Sequence, residues 1–318
     1  MTSVIWFVLL SAVPPPGVVV DHEGAASKQY VGSPSIVKCR DGAYVASHDF
    51  FGAGSTQSHS AVSRVFRSTD RGRSWSKPAE MSDQFWSNLF EHRKALYLMG
   101  TTYEYGRVVI RKSMDCGKTW SEAAYLSTDT GYHTAPVPVA IHEGRIWRGM
   151  EWHPEGKWGF FEAFAVSAPV GADLMRPASW RFEPRVKFPK ETAPVGDHWL
   201  EGNLIVAPDG KLVNVLRVAN REYAALLRDG KAEFVEFPGG AKKFTIRFDR
   251  KTKLYWTLSN PALEKYPLSK ENPASVRNTL ALMSSPDLRN WTVRRIVLEH
   301  PDVEKHAFQY VDWQFEGK

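Results

Sequence analysis

Several short segments of this 318-residue chain gather side chains that can move protons, pair with carboxylates or stack on sugar rings. The richest is "SHDFFGAGSTQSHS", which brings His48, Asp49 and His59 into one stretch. A histidine titrates near neutrality and is the commonest general acid, so any of these three is a candidate to protonate a leaving group. A plain Asp–His hydrogen bond within the stretch is the structural alternative. "YHT" carries His133, "MEWHPEGKWG" carries Glu151, "WLEGN" carries Trp199 and Glu201, and "AKKF" carries Lys243. His133, Lys243, Trp199 and Glu151 are expected to bind substrate, with Trp86, Trp152 and Trp158 available either for inter-strand packing or for stacking on sugar. Together the segments describe a mouth suited to processing sugars.

The elements that must position these residues are short strands. Runs such as "GRVVIRKS", "GNLIVAPDGKLVNVLRV" and "KKFTIRFDRKTKLYWTLSN" alternate or are rich in β-branched residues, and Asp-Gly or similar turns separate them. Helical periodicity is almost absent, so the chain is expected to be all-β.

Two octapeptides, "STDRGRSW" and "SMDCGKTW", share the pattern Ser-x-Asp-x-Gly-x-x-Trp and end at Trp75 and Trp120. Degenerate echoes end at Trp180 and Trp291, so the gaps are 45, 60 and 111 residues, the last wide enough for one unmarked unit. Units of this length fit four-stranded sheets repeated around an axis, a β-propeller. Inner strands are expected to begin near Ser33, Trp86, His133, Glu201, Lys243 and Gln309. The expected architecture is therefore six blades over 17–318, or seven if more sequence follows. The last blade is incomplete, or is closed by the early "PGVVVDHE" segment. Each octapeptide falls at the hairpin between the third and fourth strands of its blade. There Asp bonds backbone N–H groups of its own turn, Gly supplies a positive φ, and Trp packs across the hairpin. A calcium loop is excluded because a single carboxylate is offered.

The octapeptides resemble the Asp boxes, or bacterial neuraminidase repeats, of the sialidase superfamily of propellers. That resemblance implies an exo-acting glycoside hydrolase without a cofactor. It places Glu201, in "WLEGNLIVAPDGKLVNVLR", as partner of the nucleophile and Arg217 as a carboxylate-binding arginine. It likewise places Arg277, in "RNTLALMSSPD", as a second carboxylate-binding arginine and Tyr310, in "FQYVDW", as the nucleophile. A Glu beside a phenol can take its proton for attack on an anomeric carbon, while guanidinium forks hold a substrate carboxylate. Each residue also has a structural alternative: rim hydrogen bonding for Glu201, pairing with blade carboxylates for the arginines, core packing for Tyr310. The chain departs from the family at "VGSPSIV", where Gly32 or Ser33 stands in place of the first arginine. It also has no carboxylate between Asp49 and Asp70, where the family's acid belongs. "ASHDFFG" is similar to propeller enzymes that act on rhamnose-capped glucuronic acid, which implies a catalytic role for His48 and an alternative reading as a uronate lyase or hydrolase. A propeller that binds glycan without catalysis is a third reading.

Composition agrees with a packed chain, at 43% hydrophobic and 13% aromatic residues. The formal charge of +6 is scattered rather than clustered, which argues against a nucleic-acid partner and is compatible with an anionic small substrate. Cys39 and Cys116, 77 residues apart, form neither a metal motif nor a disulfide framework and are expected to be free thiols. An apolar run from Val4 to Leu10 precedes three prolines; it reads as part of a signal peptide over 1–16, implying a secreted or periplasmic protein, or as a packed first strand in a cytoplasmic one.

Overall fold

The computed structural model describes residues 16–266 and 272–316. The signal-like run Val4–Leu10 lies outside them. The described chain is built from β-strands, with three single turns of 3-10 helix and no α-helix. No helix among the described residues is long and apolar enough to cross a membrane.

Five sheets of antiparallel strands follow one another along the chain. The first blade is β1 (Tyr30–Lys38), β2 (Tyr44–Phe51), β3 (Val62–Ser68) and β4 (Ser76–Ser82). The second is β5 (Phe85–His92), β6 (Ala95–Thr101), β7 (Val108–Ser113) and β8 (Ala124–Tyr125). In the third the inner strand is split into β9 (Tyr132–His133) and β10 (Ala140–His142), both paired with β11 (Arg145–Trp152), followed by β12 (Glu162–Pro169) and β13 (Arg181–Phe182). The fourth is β14 (Trp199–Val206), β15 (Leu212–Val218), β16 (Tyr223–Arg228) and β17 (Lys231–Glu236). The fifth is β18 (Thr245–Asp249), β19 (Leu254–Ser259), β20 (Thr279–Ser285) and β21 (Thr292–Glu299).

The propeller thus has five four-stranded blades among the described residues, where six or seven were expected. The repeat period holds, but the unit expected at Gln309 supplies only a single segment. Residues 308–316 run beside the axis without a ladder, tied in by side chains. Asp312 Oδ2 accepts from Ser35 Oγ at 3.1 Å and Ile36 N at 2.9 Å on the first blade, and its Oδ1 accepts from Arg247 Nη2 at 3.0 Å on the fifth. Gln314 Oε1 accepts from Lys38 N at 2.7 Å, and Trp313 Nε1 donates to Thr245 O at 2.9 Å. One acidic side chain therefore joins the first blade to the fifth.

Apolar cores lie between successive blades. Val45 and Val65 meet Leu89 and Leu98; Phe90 and Met99 meet Met150 and Phe164; Trp199 and Leu216 meet Ala163; Val215 and Leu226 meet Phe244 and Met283. The alternation of each strand is what gives it two such faces.

The Asp and Gly of both intact octapeptides close the third hairpin edge in the same way, whereas Trp120 Nε1 has, among the described residues, no counterpart of the bond made by Trp75. Asp70 Oδ1 accepts from Arg73 N at 3.0 Å and Ser74 N at 2.9 Å, Gly72 has φ 82°, and Trp75 Nε1 donates to Gly72 O at 3.1 Å. Asp115 repeats the bonds to Lys118 N and Thr119 N, with Gly117 at φ 84°. The echo at Trp291 is one residue shorter and lacks the glycine. Its Asp287 still accepts from Arg289 N and Asn290 N, and Leu288 takes the positive φ of 67°.

Cys39 and Cys116 form a disulfide, with Cα atoms 5.9 Å apart, rather than remaining free. Cys39 directly follows the first strand of one blade and Cys116 sits inside the octapeptide turn of the next. Blade-to-blade packing, which sequence spacing does not encode, is what makes them neighbours.

Candidate active site at the channel mouth

The inner strands share a device that the sequence does not announce. Pairing with the second strand skips at the same place in three blades: between Gly32 and Ser35, Phe85 and Asn88, and Leu200 and Asn203. Each skip holds one residue with left-handed backbone: Ser33 (φ 51°), Trp86 (φ 48°) and Glu201 (φ 56°). Tyr310 (φ 57°) repeats it on the sixth segment. Such a conformation costs roughly 1 kcal/mol or more for a residue with a side chain and persists only where the surroundings over-determine it. A bulge of this kind re-aims a side chain relative to the strand.

The surroundings are hooks from the second strand of the preceding blade. Asp49, Thr101, Glu151 and Arg217 occupy equivalent register positions, opposite Gly32, Phe85, His133 and Leu200. Three of them grip the next blade, on its inner strand or just before it. Asp49 Oδ2 accepts from Trp86 N at 2.6 Å, Glu151 Oε1 accepts from Gly202 N at 2.9 Å, and Arg217 Nε donates to Ala241 O at 2.8 Å. Asn260, just past β19, does the same for the sixth segment by donating to Phe308 O at 2.7 Å. Backbone groups freed by the bulges are thereby satisfied.

At the fourth blade the hook and the bulge meet as an ion pair. Arg217 Nη1 lies 2.9 Å from Glu201 Oε2, and both residues are buried. Burial alone would raise the Glu201 carboxyl, but the charges of Arg217, His133 and Arg277 outweigh it and hold the group below its ordinary value. Tyr310 responds in the opposite sense. Burial and the negative charge of Glu201 push its phenol upward, against the pull of Arg217 and Arg277. The Arg277 guanidinium carbon lies 5.6 Å from the Tyr310 ring centroid, and Arg277 donates to Ala274 O at 2.8 Å and to Gln309 Oε1.

Lys243 is buried beside this group, with Nζ 2.7 Å from Thr245 Oγ1 and 3.0 Å from Val311 O, next to Tyr310. Burial lowers its ammonium to about 8, opposed by Asp312 and Glu201. His133 Nδ1 lies 2.8 Å from Glu151 Oε2, and its ring sits between Trp86 at 4.4 Å and Phe161 at 4.5 Å. Glu151 therefore holds His133 with one oxygen and the backbone beside Glu201 with the other. Glu201, Arg217, Arg277, Tyr310, Lys243, His133 and Glu151 are thus brought together.

The remaining expected site residues are not. His48 and Asp49 are adjacent in β2, so their side chains point to opposite faces. His48 faces away from the mouth, with Nε2 2.8 Å from Asp21 Oδ2 and its ring stacked on Phe66 at 5.4 Å. Asp21 also takes Arg64 at 3.0 Å, so His48 helps to dock the segment that precedes β1. Asp49 is enclosed beneath the mouth, and both its carboxylate oxygens are taken by protein donors, Oδ1 by Ser63 Oγ and Oδ2 by Trp86 N. Burial pushes its carboxyl up to about 8 in spite of bonds from Ser63 Oγ and Trp86 N. His59 is exposed on the loop after β2, where its ring nitrogen lies 3.3 Å from Ser58 Oγ. Trp199 is 0% exposed and donates to Phe161 O at 3.1 Å, so it is an inter-blade packing residue with no face for a sugar.

Sequence reasoning passed over Lys242, Asp312 and Asn260. Lys242 Nζ is buried against Glu222 Oε1 at 2.8 Å and Pro273 O at 2.9 Å, beneath Arg277. Each is the sequence neighbour of a flagged residue or lies in a flagged segment, but only the ring closure shows its task. Among the described residues the one grouping of potential metal ligands is Cys39, Asp41 and Cys116, and its two thiols are spent in the disulfide.

No protein-family model and no curated protein matches the chain. Solved structures do. An α-L-arabinanase of Penicillium chrysogenum complexed with arabinobiose aligns at TM-score 0.54 and 12% identity over 87% of this chain and 83% of that one. An α-L-arabinofuranosidase of Fusarium graminearum, also with arabinobiose, aligns at 0.52 and 12% over 81% and 77%. A sialidase of Trypanosoma rangeli in complex with a difluoro sugar acid aligns at 0.55 and 14% over 85% of this chain but 48% of that one, so the chain spans about half its length. At this identity the likeness shows the shared β-propeller fold.

Proposed function

We propose that the protein is a glycan-acting enzyme, an exo-acting glycoside hydrolase that removes a terminal carboxylated sugar with retention. One observation carries the reading: a buried Glu201–Arg217 ion pair set against Tyr310, with Arg277 over the phenol. Glu201 accepts the phenol proton, and the phenolate attacks the anomeric carbon as the glycosidic C–O bond breaks. The leaving oxygen takes its proton from His133, which Glu151 orients through Nδ1. Water then attacks the covalent sugar–Tyr310 intermediate and gives one proton to His133, while the released Tyr310 phenolate recovers its proton from Glu201. Arg277 and Arg217 pair with the substrate carboxylate. Glycosidases of the same fold that bind arabinobiose or a sugar acid support the class of reaction by analogy.

An elimination at a uronate linkage is the second reading. It is favoured by the state of Arg217, whose Nε and one Nη are already taken by Ala241 O and Glu201. In that case one of Tyr310 and His133 removes the proton at C5, the C4–O bond breaks, the other protonates the leaving oxygen, and Arg277 neutralises the carboxylate.

Product analysis on sialosides, rhamnosyl-glucuronides and unsubstituted uronides separates the readings. Hydrolysis releases reducing sugar, whereas elimination leaves an unsaturated product that absorbs in the ultraviolet. Full activity in both Glu201→Gln and Tyr310→Phe would sink the retaining mechanism, and binding without turnover on every glycan would leave only a lectin-like role.

A further inference from the structure

The end of the channel opposite the mouth holds a cavity of about 640 Å³, within the range of small-molecule sites. It is framed by the far ends of β10, β14 and β18, the β18–β19 hairpin, Pro286 of the fifth blade's octapeptide turn, and Phe315 of the sixth segment. We propose that this cavity is a second binding site, for an acidic sugar unit of an oligosaccharide. The proposal does not depend on the chemistry at the mouth.

Three features point there. Phe248 and Phe315 line the cavity and remain 39% and 49% exposed, large apolar faces of the kind that stack on the C–H face of a pyranose. Phe248 is braced by Tyr255 at 4.8 Å, whose hydroxyl is held by Val206 O at 2.8 Å, so the platform is pre-formed. The charges are one-sided: Arg247, Arg250 and Lys253 line the cavity and no Asp or Glu does. Arg247 is neutralised by Asp312 from outside it, while Arg250 and Lys253 have no carboxylate partner among the described residues. Asp249, the nearest carboxylate in sequence, is turned into its own hairpin, where it accepts from Lys251 N and Thr252 N. Two free cations beside two aromatic faces suit one or two anionic sugars. A nucleic-acid strand needs a longer basic track than this.

Affinity electrophoresis of the full chain carrying Tyr310→Phe, in gels containing polygalacturonate, dextran sulfate, neutral dextran or oligo-dT, tests the site apart from turnover. Polygalacturonate is expected to retard the protein and neutral dextran is not; retardation by dextran sulfate as well would mean that the site reads charge from carboxylate or sulfate alike. Arg250→Ala/Lys253→Ala should weaken retention about tenfold. Phe248→Ala/Phe315→Ala should weaken it severalfold with no change of charge. Arg73→Ala/Lys231→Ala, which removes the same charge elsewhere, should leave it intact. Equal loss in the remote charge variant, no loss in the aromatic variant, or stronger retention by oligo-dT would each overturn the proposal. So would a concentration-dependent dimer that the cleft variants abolish without any polysaccharide retention.

Discussion

Replacing Asp49 by asparagine should make the protein less sensitive to alkaline pH without removing the hook that holds the second blade's bulge. Asp49 Oδ2 accepts from Trp86 N, Oδ1 is bonded to Ser63 Oγ, and Ser63 Oγ donates onward to Gln84 O at 2.9 Å. Burial raises the carboxyl from an ordinary 3.8 to about 8, so at neutral pH the folded protein keeps this group protonated. A protonated Oδ1 can donate to Ser63 Oγ, and the side-chain amide introduced by Asp49→Asn can do the same. Between the two values the folded state holds a proton that the unfolded state has released, so stability falls as pH rises. About four pH units at ~1.4 kcal/mol each set a ceiling of about 5–6 kcal/mol at pH 8, with relaxation around the site reducing it to about 2–4. Urea midpoints of wild type and Asp49→Asn from pH 4.5 to 9 read the difference directly. The variant should gain on wild type steadily up to about pH 8 and then hold a constant lead. Asp49→Ala, which also cannot titrate but strips the acceptor from a buried N–H, should instead sit about 2–4 kcal/mol below Asp49→Asn at every pH. A difference between Asp49→Asn and wild type that stays flat across the window would refute the argument.

Glu201→Gln leaves Arg217 buried without its partner and should cost about 3–5 kcal/mol as well as activity. Because the Glu201 carboxyl is held below its ordinary 4.5, wild type should lose this stabilisation as pH falls below that value, and the variant should not. Tyr310→Phe should lower kcat about a thousandfold or more while moving the urea midpoint little, since only a hydroxyl is removed; a fall in stability without loss of turnover would make the residue a packing group. Reducing the Cys39–Cys116 bridge, or replacing both by Ser, opens a cross-link that spans 77 residues and should cost about 4 kcal/mol, read as a midpoint shift that reductant no longer changes in the double variant. Asp70→Ala removes the acceptor of Arg73 N and Ser74 N and should lower Tm while leaving kcat/KM unchanged, because that turn is at the far end of its blade from the mouth.

Much of the architecture was legible in order along the chain. Alternating runs and turn residues set the strands, and the Trp75, Trp120, Trp180 and Trp291 spacing set the blade register, because a repeated unit repeats its local hydrogen-bond needs. Resemblance singled out Glu201, Arg217, Arg277 and Tyr310, and that register put them on one face of the propeller. Direction within a strand was harder to read. His48 and Asp49 looked like one site, yet pleating sends one to the docked N-terminal segment and buries the other under Trp86. Trp199, marked as a sugar platform, is consumed by the seam between the third and fourth blades. Ring closure lies wholly outside local sequence: the sixth segment forms no ladder, and Asp312 joins β1 to β18 across more than 60 residues to one side and more than 270 to the other. The same long-range placement pairs Cys39 with Cys116 and sets Glu151 to hold both His133 and Gly202 N. Residue type and period fix what each strand can do, because they depend on neighbours in the chain; which charges meet depends on neighbours in space, and only the closed propeller decides that.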